Sequence, residues 1–169
     1  MRAVIEPNFK VAKERYDKIL AEILSYTDYC DENGDEDGKR YEVLKQNIKA
    51  ISGKNADEFD VVEWWEADGA ENIAFDIALP EPNLVPDITK TELAEIIERM
   101  CSFCEREFDD EFLDAFYGRA VYGSYFHDFL ELNFKDSYSH KLFTRQKING
   151  EMVELSADEI VEILWTDRN

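Results

Sequence analysis

The spacing of apolar residues in the first third of the chain predicts two helices. Apolar side chains recur every three or four positions over about residues 8–29, with Asn8 as a suitable N-cap. The same spacing returns in a second segment, which ends at Gly53. Residues 31–38 between them are polar and include two glycines. We therefore predict a helical hairpin.

The spacing changes from a helical period to an alternating one in the next segment. Residues 61–65 are rich in β-forming side chains, and over residues 73–79 large apolar residues alternate with alanine or aspartate. Asp68-Gly69, a dipeptide common in tight turns, lies between the two runs. This pattern predicts an antiparallel hairpin.

Local start and stop signals predict the remaining elements. Capping boxes at residues 89–92 and 156–159 open two helices, the first of which is expected to run to about residue 108. A further helical segment begins near residue 109 and is interrupted by Gly118 and Gly123, which suggests a kink.

The turn dipeptide Asn149-Gly150 predicts a second hairpin, from residues 141–148 and 151–155. The predicted order of elements is therefore α-α-β-β-α-α-β-β-α. The length of 169 residues fits one ordinary domain. We predict a single α+β domain over residues 1–169, with small antiparallel sheets packed against helices.

The charge of the chain is concentrated in its centre. The net charge is −20, from 39 acidic and 19 basic residues. Residues 1–54, the predicted helical hairpin, are near neutral, residues 55–114 carry 19 acids and three bases, and residues 115–169 are weakly acidic. Such a chain repels nucleic acids and anionic membranes, so direct binding to either is not expected. No apolar run reaches the length of a membrane span.

The cysteine content predicts a reduced, cytoplasmic protein without a disulfide framework. There are three cysteines, and the opening residues do not have the pattern of a signal peptide. Cys101 and Cys104 have the CxxC spacing, but they fall within a helical pattern and no second ligand pair accompanies them. We therefore predict that both pack in the core, and we expect no metal and no cofactor.

No catalytic motif is present in the sequence. The chain has no GxSxG, phosphate-binding or dinucleotide-binding motif. Ser124, His127 and Asp128 lie close in sequence, but neighbouring residues on a helix do not face each other, so Asp128 cannot easily orient His127. We therefore expect a protein that is not an enzyme.

The acidic loop between the first two helices allows an alternative hypothesis, a calcium-binding or partner-binding regulatory module. An EF-hand loop places oxygen ligands at positions 1, 3, 5, 7 and 12 and a glycine at position 6, where this chain has Glu36. The interpretation that we favour is a solvated loop. The ligands of the alternative calcium site would be Asp31, Asn33, Asp35, Asp37 and Glu42.

The acidic centre is the main candidate binding site. It combines dense carboxylates with two adjacent tryptophans, and tryptophan is a frequent anchor in protein interfaces. If residues 61–65 form a strand, the two indoles point to opposite faces, so that either one is exposed or both are buried. The candidate residues beside the first hairpin are Asp57, Glu58, Asp60, Glu63, Trp64, Trp65, Glu66, Asp68 and Glu71. A second acidic ridge is predicted from Glu105, Glu107, Asp109, Asp110, Glu111 and Asp114.

These features suggest a non-enzymatic inhibitor that binds a basic partner, such as a nuclease or another nucleic-acid-binding protein. Duplex DNA carries about one negative charge per 1.7 Å of its axis, and spaced carboxylates on a protein surface can imitate that density. In size, acidity and lack of catalytic motifs, the chain resembles anti-CRISPR and anti-restriction proteins of phages, and immunity proteins that neutralise nuclease toxins. This resemblance involves no shared motif and assigns no residue.

Overall fold

The computed structural model describes residues 1–102, 107–148 and 151–166. Within these residues the chain forms seven α-helices and one antiparallel pair of strands, so it is an α+β protein dominated by helices. The chain divides into two compact units. The N-terminal unit is Asn8–Pro80, and the C-terminal unit combines Met1–Pro7 with Glu81–Asn169. No described helix is long and apolar enough to cross a membrane. The single-domain organisation of residues 1–169 stays a prediction.

The N-terminal unit contains both helices of the predicted helical hairpin. Helix α1 spans Phe9–Asn33, and Asn8 caps it because its side-chain oxygen accepts a hydrogen bond from the Val11 N–H at 3.2 Å. Helix α2 spans Lys39–Ser52. It ends at Gly53, whose φ of 83° is a left-handed conformation that glycine adopts without steric cost.

The predicted first hairpin is wrong, because its second strand is a helix. Helix α3 spans Ala70–Ala78 and packs along α1, where Phe75 stacks on Phe9 with ring centroids 6.1 Å apart. The alternation of large apolar residues in this segment concealed a helical spacing of alanines at positions 70, 74 and 78. Alanine is the best helix former and lets helices approach closely. The buried residues of α3 are Ala70, Ile73, Ala74, Phe75, Ile77 and Ala78.

Without a partner strand, residues 61–65 do not form a strand either. They belong to a series of turns that starts after a short 3-10 helix, Ala56–Glu58, and leads into α3. Val61 is fully buried and Val62 is exposed. The nine predicted acidic and aromatic residues of this region therefore lie on the 3-10 helix, on the turns after it and on the first turn of α3, and not beside a hairpin.

The C-terminal unit follows the predicted order more closely. Both capping boxes are confirmed, since Thr89 with Glu92 and Ser156 with Glu159 exchange the expected hydrogen bonds. The second hairpin is confirmed in shorter form, with residue 147 paired to residue 152, and its Asn149-Gly150 turn lies outside the described residues. The elements are α4 (Lys90–Cys101), α5 (Glu111–Tyr122), α6 (Tyr125–Asn133), β1 (Gln146–Ile148), β2 (Glu151–Val153) and α7 (Ala157–Thr166).

The first seven residues of the chain are tied to α4. Arg2 donates to Glu92 at 2.6 Å and to Asp87, just before α4, at 2.8 Å. The bond from Arg2, followed by the bond from the Thr89 backbone N–H, lowers the pKa of Glu92 to about 2. Arg99 donates to both carboxylate oxygens of Glu6, at 2.9 and 3.0 Å. The sequence places these arginines and carboxylates about 90 residues apart, so only the folded chain shows that the charges neutralise each other.

The two glycines that interrupt the predicted helical segment have different structural roles. A Cβ atom at Gly118, within α5, would meet only the Tyr122 ring at 3.7 Å, which is an ordinary contact. A Cβ atom at Gly123, between α5 and α6, would overlap the Arg119 carbonyl oxygen. The helix break therefore requires glycine at position 123. At position 118, inside α5, the structure has room for a larger residue.

We predict opposite effects on stability for alanine at these two glycines. Gly118→Ala should raise the free energy of unfolding by about 0.5–1 kcal/mol, since alanine loses less backbone entropy in a helix. Gly123→Ala should lower it by more than about 1 kcal/mol, since the backbone must move to relieve the overlap. Urea denaturation of the two variants measures both changes. An equal or reversed effect would contradict the assigned roles.

Candidate functional site

We begin with the acidic segment that contains both adjacent tryptophans, residues 57–68, which we call the Trp loop. It contains six acidic residues and no basic residue. The backbone folds as consecutive turns. The Glu66 N–H donates to the Glu63 carbonyl at 2.9 Å, and the Gly69 N–H donates to the Trp64 carbonyl at 3.1 Å. These bonds give a strongly charged segment a defined backbone path.

The start of the Trp loop is anchored to α2. The carboxylate of Asp57 accepts a hydrogen bond from the Tyr41 hydroxyl at 2.9 Å and forms an ion pair with Lys45 at 3.0 Å. Both contacts hold the pKa of Asp57 below its usual range. Beside it, Ala56 and Val61 are fully buried. Asp57 is therefore a structural anchor, although the sequence predicts it as a binding residue.

The middle of the Trp loop is anchored to α1 through Trp64. Its indole N–H donates to the Thr27 hydroxyl at 2.9 Å, and the side chain is half-buried. Trp65 is 57% exposed and meets Trp64 edge to face, with ring centroids 5.8 Å apart and an interplanar angle of 80°. The question that the sequence leaves open is thus settled in favour of Trp65, by turn geometry and not by the two faces of a strand.

Most carboxylates of the Trp loop have no basic partner. Within the described residues, no ion pair is formed by the exposed side chains of Glu58, Asp60, Glu63 and Glu66. Glu71, also predicted as a site residue, is exposed in the first turn of α3, where a negative charge is favourable at the helix N-terminus. Asp68 is exposed just before that turn. The loop therefore presents concentrated negative charge to solvent.

A second set of carboxylates, outside the main predicted site, lies at the same end of the N-terminal unit; two of them, Asp31 and Asp37, belong to the loop of the alternative calcium-binding or partner-binding hypothesis. The Trp64–Thr27 bond places the Trp loop against the second half of α1, which continues into the loop before α2. Residues 26–42 contain seven acids and two bases, whereas residues 8–25 contain three acids and four bases. The exposed carboxylates added here are Asp28, Asp31, Glu32, Glu36 and Asp37. We call these and the Trp loop the acidic end.

The near-neutral net charge of residues 1–54 conceals this difference between the two ends of α1. It adds together bases and acids that lie at opposite ends of the helix. A helix of 25 residues is about 37 Å long, several times the Debye length of about 8 Å in physiological salt. Bases near the start of α1 therefore do not screen acids near its end. Counting charge turn by turn along the predicted helix is the sequence signal that finds these residues.

The second predicted group of acids lies in the C-terminal unit. Asp110 caps α5 by accepting from the Phe112 and Leu113 N–H groups at 3.0 and 3.1 Å, and Asp114 accepts from the Phe108 N–H at 3.2 Å. Glu107, Asp109 and Glu111 are exposed around this helix start. Glu105 lies outside the described residues. That these acids and the Trp loop form one joint surface stays a prediction.

The five ligands of the alternative calcium site are spread over the end of α1, the loop after it and the start of α2. Asp31 and Asn33, its first two ligands, belong to the last turn of α1 and not to a loop. Asp37 forms an ion pair with Lys39 at 2.5 Å, and Glu42 forms one with Lys45 at 2.9 Å. No group of three or more His, Cys, Asp or Glu side chains suited to a metal is found within the described residues.

Asp35, one of the acids in this loop, has a structural function at the start of α2. The N-cap position of α2 is Gly38, which has no side chain to cap the helix. Asp35 takes over that function, because its carboxylate accepts hydrogen bonds from the backbone N–H of Arg40 at 3.0 Å and of Tyr41 at 2.8 Å. The carboxylate in the middle of the alternative calcium site thus accepts hydrogen bonds from backbone donors.

The cysteine prediction is wrong for the one member of the CxxC pair that the structure describes. Cys101 ends α4 and is exposed. The pKa of its thiol is raised, by partial burial first and then by Glu98 and Glu154, so it has less thiolate than an ordinary cysteine. Cys104 lies outside the described residues.

His127 is the histidine with a strongly shifted pKa in the described chain. It lies on α6, its ring stacks on His140 at 4.4 Å, and its Nδ1 is hydrogen-bonded to the Tyr138 hydroxyl at 2.8 Å. Burial, and secondarily His140, lower the pKa of His127 to about 4. A neutral imidazole in an aromatic cluster with Phe143 is a packing feature of the C-terminal unit.

The acidic end has the components of a protein-binding surface, namely unpaired carboxylates next to exposed apolar side chains. No protein-family model matches the chain, and no curated protein or solved structure is significantly similar to it. The anchored positions of Asp57 and Trp64 fix where the free carboxylates and Trp65 lie. Such a surface is suited to a partner that is basic and has a site for an aromatic ring.

We predict that Asp35 stabilises the fold and that calcium does not. Asp35→Ala should lower the free energy of unfolding by about 1–2 kcal/mol, because two N–H groups of α2 lose their acceptor. Asp37→Ala, which removes only exposed contacts, is the matched control and should cost less than about 0.5 kcal/mol. Thermal melts with and without calcium should coincide for the unmodified protein. A melting temperature that rises with calcium would contradict the capping role.

We predict that protonation of His127 destabilises the protein in acid. Because the folded pKa lies below the unfolded value of about 6.5, this contribution to stability is complete above pH 6.5 and is lost as the pH falls towards 4. The loss should amount to about 1–2 kcal/mol, less than the full pKa shift corresponds to, because solvent screens the half-buried ring. His127→Phe should remove this part of the pH dependence, while Tyr138→Phe should retain it. Urea denaturation between pH 4 and 7 compares the slopes, and equal slopes in all three proteins would exclude His127 as the cause.

Proposed function

We propose that this protein is a non-enzymatic inhibitor whose acidic end occupies the nucleic-acid-binding surface of a basic partner. The observation that supports the proposal most directly is the set of exposed carboxylates in the Trp loop. Glu58, Asp60, Glu63 and Glu66 lie within nine residues and have no ion pair in the described parts of the chain. A basic partner supplies the positive charges that the fold itself does not.

The energetics of the acidic end favour association with cations. Like charges a few ångströms apart repel one another even at physiological salt, because they lie within one Debye length of about 8 Å. A partner with lysines and arginines relieves this repulsion on binding and is steered to the surface before contact. A groove that binds nucleic acid has that charge, since it must neutralise about one phosphate per 1.7 Å of duplex axis.

Exposed apolar side chains in the Trp loop can slow dissociation of a partner, which charge alone does not do. Trp65 is 57% exposed and Val62 is 41% exposed, within the same loop as the carboxylates. Electrostatic steering mainly speeds association, whereas an aromatic anchor that is buried on binding slows dissociation. The combination suits an inhibitor that must find its target quickly and remain bound in competition with nucleic acid.

Two charge-reversal variants test the proposal. The first replaces Glu58, Glu63 and Glu66 with lysine. The control replaces Glu131, Asp136 and Glu151 with lysine; these residues are exposed in the C-terminal unit, and the substitutions change the net charge by the same amount. Each protein is added to purified CRISPR, restriction and toxin nucleases that cleave a fluorescent DNA duplex, and the initial cleavage rates are measured.

We expect the unmodified protein to inhibit one of these nuclease classes and excess duplex to relieve the inhibition. The Trp-loop variant should require at least about tenfold more protein, a loss of about 1.4 kcal/mol, mainly through slower association with a weaker salt dependence. The control variant should inhibit like the unmodified protein. The proposal is overturned if no class is inhibited, or if the two variants lose inhibition equally.

A further inference from the structure

Trp65 is a large apolar side chain that the fold leaves in solvent. Its exposed fraction of 57% contrasts with Trp64, which is half-buried and hydrogen-bonded to Thr27. Burying an aromatic side chain of this size removes a large apolar area from water, which is favourable. The N-terminal unit does not use that stabilisation, so the indole of Trp65 is available to a partner.

The Trp65 ring is also held in place before any partner arrives. It meets Trp64 edge to face at 5.8 Å, a preferred arrangement for aromatic pairs. Trp64 is in turn fixed to α1 through its hydrogen bond with Thr27. The contact with Trp64 therefore supports the Trp65 indole while that side chain stays largely exposed, and a ring that is already supported loses less entropy on binding.

Two glutamates are close to Trp65 along the chain, at the two ends of the turn that carries it. The bond from the Glu66 N–H to the Glu63 carbonyl, 2.9 Å long, closes a four-residue turn with Trp65 at its third position. The Cα atoms at the two ends of such a turn are less than about 7 Å apart. Glu63 and Glu66 are exposed and have no ion pair within the described residues.

An exposed indole with two carboxylates in the same turn has a specific chemical complement. Cations are attracted to the negative face of an indole, and tryptophan is the strongest such site among the aromatic residues. The guanidinium group is planar, so it stacks on the ring while its N–H groups donate to a carboxylate, often in pairs. The ammonium group of lysine is a compact charge that cannot stack in this way.

We propose that Trp65, Glu63 and Glu66 together receive an arginine side chain of the partner. The proposal rests on the proposed function, in that it identifies the kind of basic residue that the Trp loop contacts. Charge complementarity identifies the occupant as a cation, and the exposed, supported indole distinguishes arginine from lysine. In a groove that binds nucleic acid, the same arginine would otherwise contact a phosphate or a base.

The test uses two short capped peptides of equal charge, Gly-Arg-Gly-Arg-Gly and Gly-Lys-Gly-Lys-Gly. The full chain, labelled with ¹⁵N, is titrated with each at physiological salt, and the indole N–H signals of its three tryptophans are followed by NMR. The Trp65 signal should move with the arginine peptide. The Trp64 signal, whose N–H is already bonded to Thr27, serves as an internal reference.

We expect the arginine peptide to bind about threefold to fivefold more tightly than the lysine peptide. Calorimetry of the variants then assigns the preference. Trp65→Ala should reduce the ratio of the two affinities to near one, and Trp65→Phe, which keeps an aromatic ring, should restore part of it. Leu84→Ala removes a side chain that is 62% exposed in the C-terminal unit and should leave the ratio unchanged.

Equal affinities for the two peptides, or a ratio that survives Trp65→Ala, would overturn the arginine site. The outcome is separable from that of the nuclease experiment, because the titration contains no nucleic acid and no nuclease. An arginine preference without nuclease inhibition would leave the arginine site standing and reject the proposed function. Inhibition that depends on Glu58, Glu63 and Glu66, without an arginine preference, would support the proposed function and reject the arginine site.

Discussion

The acidic end depends on how a segment of like charges is held against the helices beside it. Six carboxylates in the Trp loop repel one another, and an unanchored segment of this composition would expand in water. The Trp64–Thr27 hydrogen bond and the contacts of Asp57 with Tyr41 and Lys45 fix the loop at two points. Burial of Val61 supplies the apolar contribution between them. Two anchors thus determine which side chains remain free for a partner.

The charge pattern of α1 is the reverse of the pattern that would stabilise a helix. Its first turn has no acidic residue and its last turn has no basic residue, whereas acids near the N-terminus and bases near the C-terminus each stabilise a helix by about 0.3–1 kcal/mol. The Asn8 cap and the buried residues Ile19 and Ile23 offset this cost. The acids in the last turn of α1 lower the stability of the helix, and the same acids add negative charge to the acidic end. This arrangement agrees with the proposed binding role of that surface.

Acidic residues have a different function at several positions in the C-terminal unit. Asp110, Glu92 and Glu159 accept hydrogen bonds from backbone groups at the starts of α5, α4 and α7. These carboxylates complete helix caps, so their removal would lower the free energy of unfolding whether or not they lie in a binding surface. The high acid count of the chain therefore combines structural carboxylates, which have backbone donors, with free carboxylates, which do not.

The sequence by itself determined the elements that depend on local signals. These signals involve residues only a few positions apart, so the local sequence alone predicts them. They are the Asn8 cap, the helix end at Gly53, both capping boxes and the hairpin around Asn149-Gly150. The prediction of a strand near residues 70–78 is wrong because the segment shows both an alternating and a helical spacing of apolar residues. Only packing against α1 selects the helix. Tertiary structure also decided that Trp65 and Cys101 are exposed. It gathered the acids of α1 with those of the Trp loop, because charges distant in sequence become neighbours only when the chain folds back on itself.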